Sequence, residues 1–230
     1  MIHIFFPFFL YVVIIVCFTA YSKSLRKPIK IPTWFMSIYN IFNSMINLFI
    51  VYNLNPIFNT KFGFNLPYTT SVHQMLYLHY LTKYLDFTDT IIMILRHKWN
   101  QVHFLQLFHH STIGVVWAYI LQQAPHPSAS IAFGALANSF IHFVMYLHYF
   151  VTGIGYKNPF KKWMTTLQIL QFSICFIHSI AYIRQYPEKK HQALLQTLYM
   201  TAMLLLFYVY VYLGRSNTNP FCKNLRLKEQ

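Results

Sequence analysis

The stretch "FLQLFHHST", Phe104–Thr112, sets Gln106, His109 and His110 inside a run that is otherwise apolar from 102 to 121. A helix needs roughly 20 mostly apolar residues to cross the hydrocarbon core of a bilayer. Polar side chains in such a span are expensive and are kept for interior packing or chemistry. Reading this run as a membrane span decides the fold, and the rest of the chain has to agree with it.

It does. The 230 residues are 56% hydrophobic and 20% aromatic with only 10% charged, which is too apolar for a soluble domain of this length. Further runs fit spans at 2–21, 34–53, 73–95, 128–151, 163–183 and 192–213, so the expected fold is all-α with seven transmembrane helices. The apolar N-terminus has no basic residue before it and no small-residue cleavage site after it, so it reads as a retained signal anchor. No Pro/Gly-rich linker, low-complexity tract or repeat divides the chain. The reading is one domain over 1–230, ending in a basic tail at 214–230.

The formal charge of +14 would imply nucleic acid in a soluble protein. Here Lys and Arg cluster between apolar runs, so anionic headgroups and anionic substrates are the expected partners instead. Alternate loops hold thirteen Lys and Arg on one side and four on the other, which places the C-terminus in the cytosol. Cys17 and Cys175 lie in apolar runs and Cys222 in the tail, a distribution that specifies neither a disulfide framework nor a zinc site.

Depth follows from the helical rise of about 1.5 Å per residue. Asp86 and Asp89, Gln106 with His109 and His110, His142, and Gln168 with Gln171 all fall roughly 6–14 Å in from the cytosolic end of their spans. Lys83, Asp86 and Asp89 repeat at i, i+3, i+6, and Asn138, His142 and Tyr146 at i, i+4, i+8. Such stripes face a bundle interior or a wet cavity. A lone His142 or Gln168 is more often an interhelical hydrogen-bonder, and Lys83 with Asp86 fits a self-neutralising pair equally well. Packing alone, however, does not require four helices to carry their polar residues at one depth. His3, His97, His126 and His191 read as solvated. For His73, His79, His103, His148 and His178 the spacing does not choose.

The motifs resemble those of the ELO family of very-long-chain fatty acid elongases, membrane 3-oxoacyl-CoA synthases. "KYLDFTDT" (Lys83–Thr90) is similar to the family's KxxExxDT, and "QVHFLQLFHH" (Gln101–His110) to its histidine box. "NSFIHFVMYLHY" (Asn138–Tyr149) resembles NxxIHxxMYxYY, "KKWMTTLQILQF" (Lys161–Phe172) resembles KKxxTxxQxxQF, and "RKPIKIPTWFMSIYN" (Arg26–Asn40) the RKP…YN segment. Two positions depart from the pattern. Asp86 stands where the family has Glu, and Gln106 replaces the first histidine of the box, a feature similar to elongases of polyunsaturated substrates.

The resemblance implies condensation of acyl-CoA with malonyl-CoA to give 3-oxoacyl-CoA, CoA and carbon dioxide, with no cofactor and no metal. It implies six helices in a barrel around an acyl tunnel closed at the lumenal end. His109 would be the nucleophile forming an acyl-imidazole, since a neutral imidazole offers a ring-nitrogen lone pair. His142 and Asn138 would hold the oxyanion, and Asp89 would orient His110 or His109. Lys83 would attract CoA phosphates, with Asp86, Gln106, Tyr146, Gln168 and Gln171 completing the substrate site. Further implied partners are membrane lipids, the reductases and dehydratase of the elongation cycle, and a second copy as homodimer, with no nucleic acid. The expected location is the endoplasmic reticulum membrane, and Arg226 and Lys228 in the tail resemble a dilysine-type retrieval signal. A di-iron desaturase would need several HxxxH and HxxHH boxes, which the chain lacks. A seven-span transporter of an anionic or lipid-like substrate is the alternative, and it would place its site at the midplane between broken helices.

Overall fold

Prolines and caps punctuate this chain, and apolar runs fill the space between them. In the computed structural model, which describes residues 3–123, 129–157, 161–187 and 190–210, those runs become seven helices. They are α1 (Phe6–Ser24), α2 (Thr33–Leu54), α3 (Thr70–Leu95), α4 (Phe104–Gln122), α5 (Ala129–Gly153), α6 (Lys161–Gln185) and α7 (Lys190–Tyr208). Pro7 opens α1, where a missing N–H costs nothing. The Thr69 hydroxyl caps α3 by accepting from the Val72 N–H at 3.2 Å. The His103 ring caps α4 by accepting from the Gln106 N–H at 3.3 Å. The tail 214–230 with Cys222, Arg226 and Lys228 lies outside the described residues, as do His126, Glu188 and Lys189.

Among the described residues five helices are long and apolar enough to cross a membrane: α1, α2, α4, α5 and α6. The other two, α3 and α7, are more polar, with Lys83, Asp86 and Asp89 on one and Gln192 and Gln196 on the other. Among the described residues there is no strand. The protein is an all-helical, multi-pass membrane protein.

Its burial is inverted relative to a water-soluble fold. On α2, Asn40, Asn43, Ser44 and Asn47 are buried while Ile38, Phe42, Met45 and Phe49 are exposed. Lipid does not penalise exposed apolar side chains, whereas polar ones need partners inside the bundle. Many find them within their own helix: Asn43 Nδ2 donates to Tyr39 O, Asn47 Nδ2 to Asn43 O, and Thr112 Oγ1 to Phe108 O.

The most extensive packing is between α2 and α5. Neighbours then follow as α2 on α3, α3 on α4, α4 on α7, α7 on α6 and α6 on α5, while α1 packs on α3 and α4. The α1–α2 linker and the α3–α4 turn meet at one end. There Ile29 N–H donates to Leu95 O at 2.9 Å, and the His97 ring to Ser22 O at 3.1 Å. At the opposite end the segment between α2 and α3 turns through three successive left-handed residues, Lys61, Phe62 and Gly63. Two bonds hold it against α6 and the residue that follows: His178 Nε2 donates to Phe62 O at 2.7 Å, and Tyr186 OH to Asn65 Oδ1 at 2.9 Å.

Helix α1 is anchored by few groups. Tyr11 and Thr90 hydroxyls meet at 3.3 Å, and Ser22 Oγ donates to Ile94 O at 2.8 Å. At its other end the backbones nearly touch, since a Cβ built on Gly114 would lie 2.6 Å from Pro7 Cβ. A proline ring cannot swing aside. Gly114→Ala is therefore expected to push α1 off α4 and to destabilise the protein by about 1–3 kcal/mol, the usual cost of overpacking. Thermal unfolding in detergent measures this, and an unchanged midpoint would show that α1 does not need the contact.

Candidate active site

The inward face of α3 supplies a lysine, two aspartates and a threonine to the bundle interior. Lys83, fully buried, donates from Nζ to Asp86 Oδ2 at 3.1 Å and to Asn138 Oδ1 at 2.9 Å. The Tyr146 hydroxyl lies 3.0 Å from Asp86 Oδ1 and 2.7 Å from Asp89 Oδ2, with one proton to donate. The Tyr39 hydroxyl approaches Asp89 Oδ1 at 2.8 Å. One lysine and two carboxylates are thus tied to α2 and α5 by neutral donors and acceptors. A buried ion pair repays its desolvation only with such additional bonds.

The histidines gather beside this cluster. His142 Nδ1 comes within 3.4 Å of Asp86 Oδ1, inside ion-pair reach but not aligned as a hydrogen bond. His110 Nδ1 is buried without a partner among the described residues. His109 and His110 pack edge to face with ring centres 5.6 Å apart. His109 Nδ1 lies 3.1 Å from the Tyr199 hydroxyl of α7. Gln106 Nε2 donates across to α3, to Thr90 Oγ1 at 3.2 Å.

A cavity opens from this point. His109, Ile113, Val116, Trp117 and Ile120 line it along one face of α4, with Ile131, Gly134 and Asn138 from α5 opposite. Gln171 and Phe172 of α6 and Gln196, Tyr199 and Met200 of α7 complete the wall. From His109 to Ile120 the α4 stripe extends roughly 16 Å at 1.5 Å per residue. His109, Asn138, Gln171 and Tyr199 make its nearer part polar, and beyond them it is mostly apolar.

The structure therefore brings together Lys83, Asp86, Asp89, Asn138, His142 and Tyr146, with Gln106, His109 and His110 adjoining. Gln171 is buried, donates to Cys175 Sγ and lines the cavity, whereas Gln168 is only half-buried on α6. Two assignments change. Asp89 does not reach the histidine pair, because its oxygens accept from Tyr39 and Tyr146; the carboxylate nearest an imidazole is Asp86. Lys83 is enclosed by Asp86 and Asn138, so it is not placed to meet a phosphate. Among the described residues no group of three or more His, Cys, Asp and Glu could hold a metal ion.

Four participants have no role assigned by the sequence, and for His79 the spacing leaves the choice open. His79, fully buried, bonds Ser139 at 2.8 Å and packs edge-on against Trp117. Tyr39 holds Asp89, while Tyr199 and Gln196 come from α7. A signal for the last two was present: Gln192, Gln196, Tyr199 and Met203 recur at i, i+4, i+7, i+11 and are all buried.

Comparison with known proteins places the chain in a family. A family model described as ELO, the GNS1/SUR4 family, matches residues 1–217. The chain is 35% identical over 204 residues to fatty acid elongase 5 of Leishmania major, covering 86% of this chain and 79% of that protein. It is 34% identical over 172 residues to fatty acid elongase 4 of Trypanosoma brucei brucei, covering 74% and 68%. To very long chain fatty acid elongase 1 of Mus musculus it is 33% identical over 205 residues, covering 79% and 70%. With the motifs, the helical architecture and a match over nearly its full length in agreement, the chain belongs to the ELO, or GNS1/SUR4, family of fatty acid elongases.

Proposed function

We propose that the protein is a 3-oxoacyl-CoA synthase that condenses a long-chain acyl-CoA with malonyl-CoA through an acyl-histidine. One observation carries the reading: His109 stands at the polar end of a cavity whose remaining length is mostly apolar. A fatty acyl chain needs that apolar length, and a thioester carbonyl needs a nucleophile at its end. The relatives named as fatty acid elongases support elongation of a fatty acyl chain. Residues of α4, α5, α6 and α7 line the cavity, and the acyl chain would lie between them.

The steps balance without a cofactor. The His109 lone pair forms an N–C bond to the acyl carbon, and the C–S electrons leave with CoA thiolate, which takes a proton from water. Malonyl-CoA then loses carbon dioxide, and the resulting enolate carbon attacks the acyl carbon. The N–C pair returns to His109, and 3-oxoacyl-CoA leaves two carbons longer. His142 and Asn138 are the donors proposed for the developing oxyanion, with the Asp86 carboxylate beside His142. Gln106 ties α4 to α3, a role that needs hydrogen bonds but no proton transfer.

In this reading the end carrying the α3–α4 turn faces the cytosol, where CoA thioesters are found, and the C-terminus is cytosolic. The protein sits in the endoplasmic reticulum membrane among lipids, working alongside the reductases and dehydratase that complete elongation and able to pair as a homodimer. Arg226 and Lys228 serve as its retrieval signal. Replacing both by alanine in a tagged protein should shift its distribution away from the reticulum, and an unaltered pattern would remove that role.

With acyl-CoA alone, the purified protein should release about one equivalent of CoA per site and gain the mass of the acyl group, as a single covalent nucleophile requires. His109→Ala should lose this burst while remaining folded, and a chelator should not change the rate. CoA appearing only after both substrates bind would instead assign His109 to acid–base work.

A further inference from the structure

Three hydrogen bonds in series connect α4 to α7 at the cavity wall. Thr112 Oγ1 reaches Phe108 O at 2.7 Å, the Tyr199 hydroxyl lies 3.2 Å from Thr112 Oγ1, and His109 Nδ1 lies 3.1 Å from that hydroxyl. Each member has one proton to give, and the last acceptor, a backbone carbonyl, has none. The Thr112 proton therefore goes to Phe108 O, and its oxygen must accept. The Tyr199 proton goes to Thr112, and its oxygen must accept in turn. Only an Nδ1–H on His109 fills the remaining bond. If the Tyr199 proton pointed at His109 instead, either two hydroxyl oxygens would face each other at 3.2 Å or Thr112 would give up its 2.7 Å bond to Phe108 O, so one bond goes unmade. The contacts of both hydroxyls to His109 O, at 3.5 Å, are too long to replace it.

We propose that Tyr199 is a positioning residue which, through Thr112, holds His109 as its Nδ1–H tautomer and so reserves the Nε2 lone pair for the acyl carbon. This rests on the acyl-histidine reading for its purpose but not for its geometry. Neutral imidazole has one donor and one acceptor nitrogen, and whichever bond one makes fixes the role of the other. The chain begins at a backbone carbonyl of α4 itself, so it keeps its direction as long as the helix is folded. Tyr199 is buried and also packs its ring beside that of His109 at 6.3 Å, which limits rotation of the imidazole. The acylated ring retains Nδ1–H, so the same bond persists through the covalent intermediate.

The test uses the full-length protein in detergent with 15N-labelled histidine, the His109 signals being identified by their loss in His109→Ala. Wild type should carry the His109 proton on Nδ1. Tyr199→Phe and Thr112→Val should both raise the fraction protonated on Nε2. The rate of CoA release from acyl-CoA alone should fall on the order of tenfold or more. That is short of the about 10⁴-fold loss seen when a catalytic histidine is locked in the wrong tautomer, because the freed ring samples both forms. The half-saturating acyl-CoA concentration should not move. A purely structural role would lower folded yield and leave the tautomer ratio alone, and Thr112→Val supplies the reading should Tyr199→Phe not fold. A wild-type His109 protonated on Nε2, or variants with the wild-type ratio, would overturn the proposal. Wild type that releases no CoA would overturn the acyl-histidine function, while the nitrogen signals still decide this assignment.

Discussion

A lysine and an aspartate out of water at the centre of a helical bundle are the constraint around which the rest is arranged. Lys83 and Asp86 are three residues apart on α3 and almost wholly buried, and neither could stay charged in hydrocarbon alone. Their pairing is not enough, because a carboxylate has about four acceptor sites and an ammonium three donors. Asn138 and Tyr146 of α5 supply the extra partners, and Tyr39 of α2 meets the second carboxylate at Asp89. The extensive packing of α2 on α5 thus has a polar counterpart, since both helices meet α3 through this cluster.

That cluster divides labour with the cavity wall beside it. The carboxylates and tyrosines are occupied with one another, which fixes α2, α3 and α5 at this level. His109 belongs to the other side, held by Tyr199 of α7 and facing a cavity whose wall is mostly apolar. Between them lie His142 and His110, close to Asp86, each with an Nδ1 that makes no hydrogen bond among the described residues. Buried polar atoms without partners are rare in native folds, and they concentrate where a substrate or water completes the set. In the proposed function this junction is where charge would develop, at one end of the apolar slot.

The departures from the family pattern also acquire physical content. Asp86 is one methylene shorter than Glu, yet it reaches Lys83 and Tyr146 and approaches His142. Gln106 bonds Thr90 and approaches the Met93 sulfur, so it works as a tie between α4 and α3. The same Thr90 meets Tyr11, which extends the tie to α1.

The sequence by itself determined the number and type of the helices, which residues face inward and the depth they share. Apolar length and the 3.6-residue period are local properties, and a lipid surroundings leaves polar stripes nowhere else to go. It also held the family, because whole motifs stand in order along the chain. Partner choice was decided only by the tertiary structure. Asp86 and Asp89 look equivalent in a stripe, but three residues at about 100° each leave them roughly 60° apart around the helix. That offset turns Asp86 toward His142 and Asp89 toward Tyr39. Tyr199 lies 90 residues from His109 along the chain, and no local period could have joined them. Their contact exists because α7 packs on α4, and the direction of its hydrogen bonds follows from which oxygen was already taken.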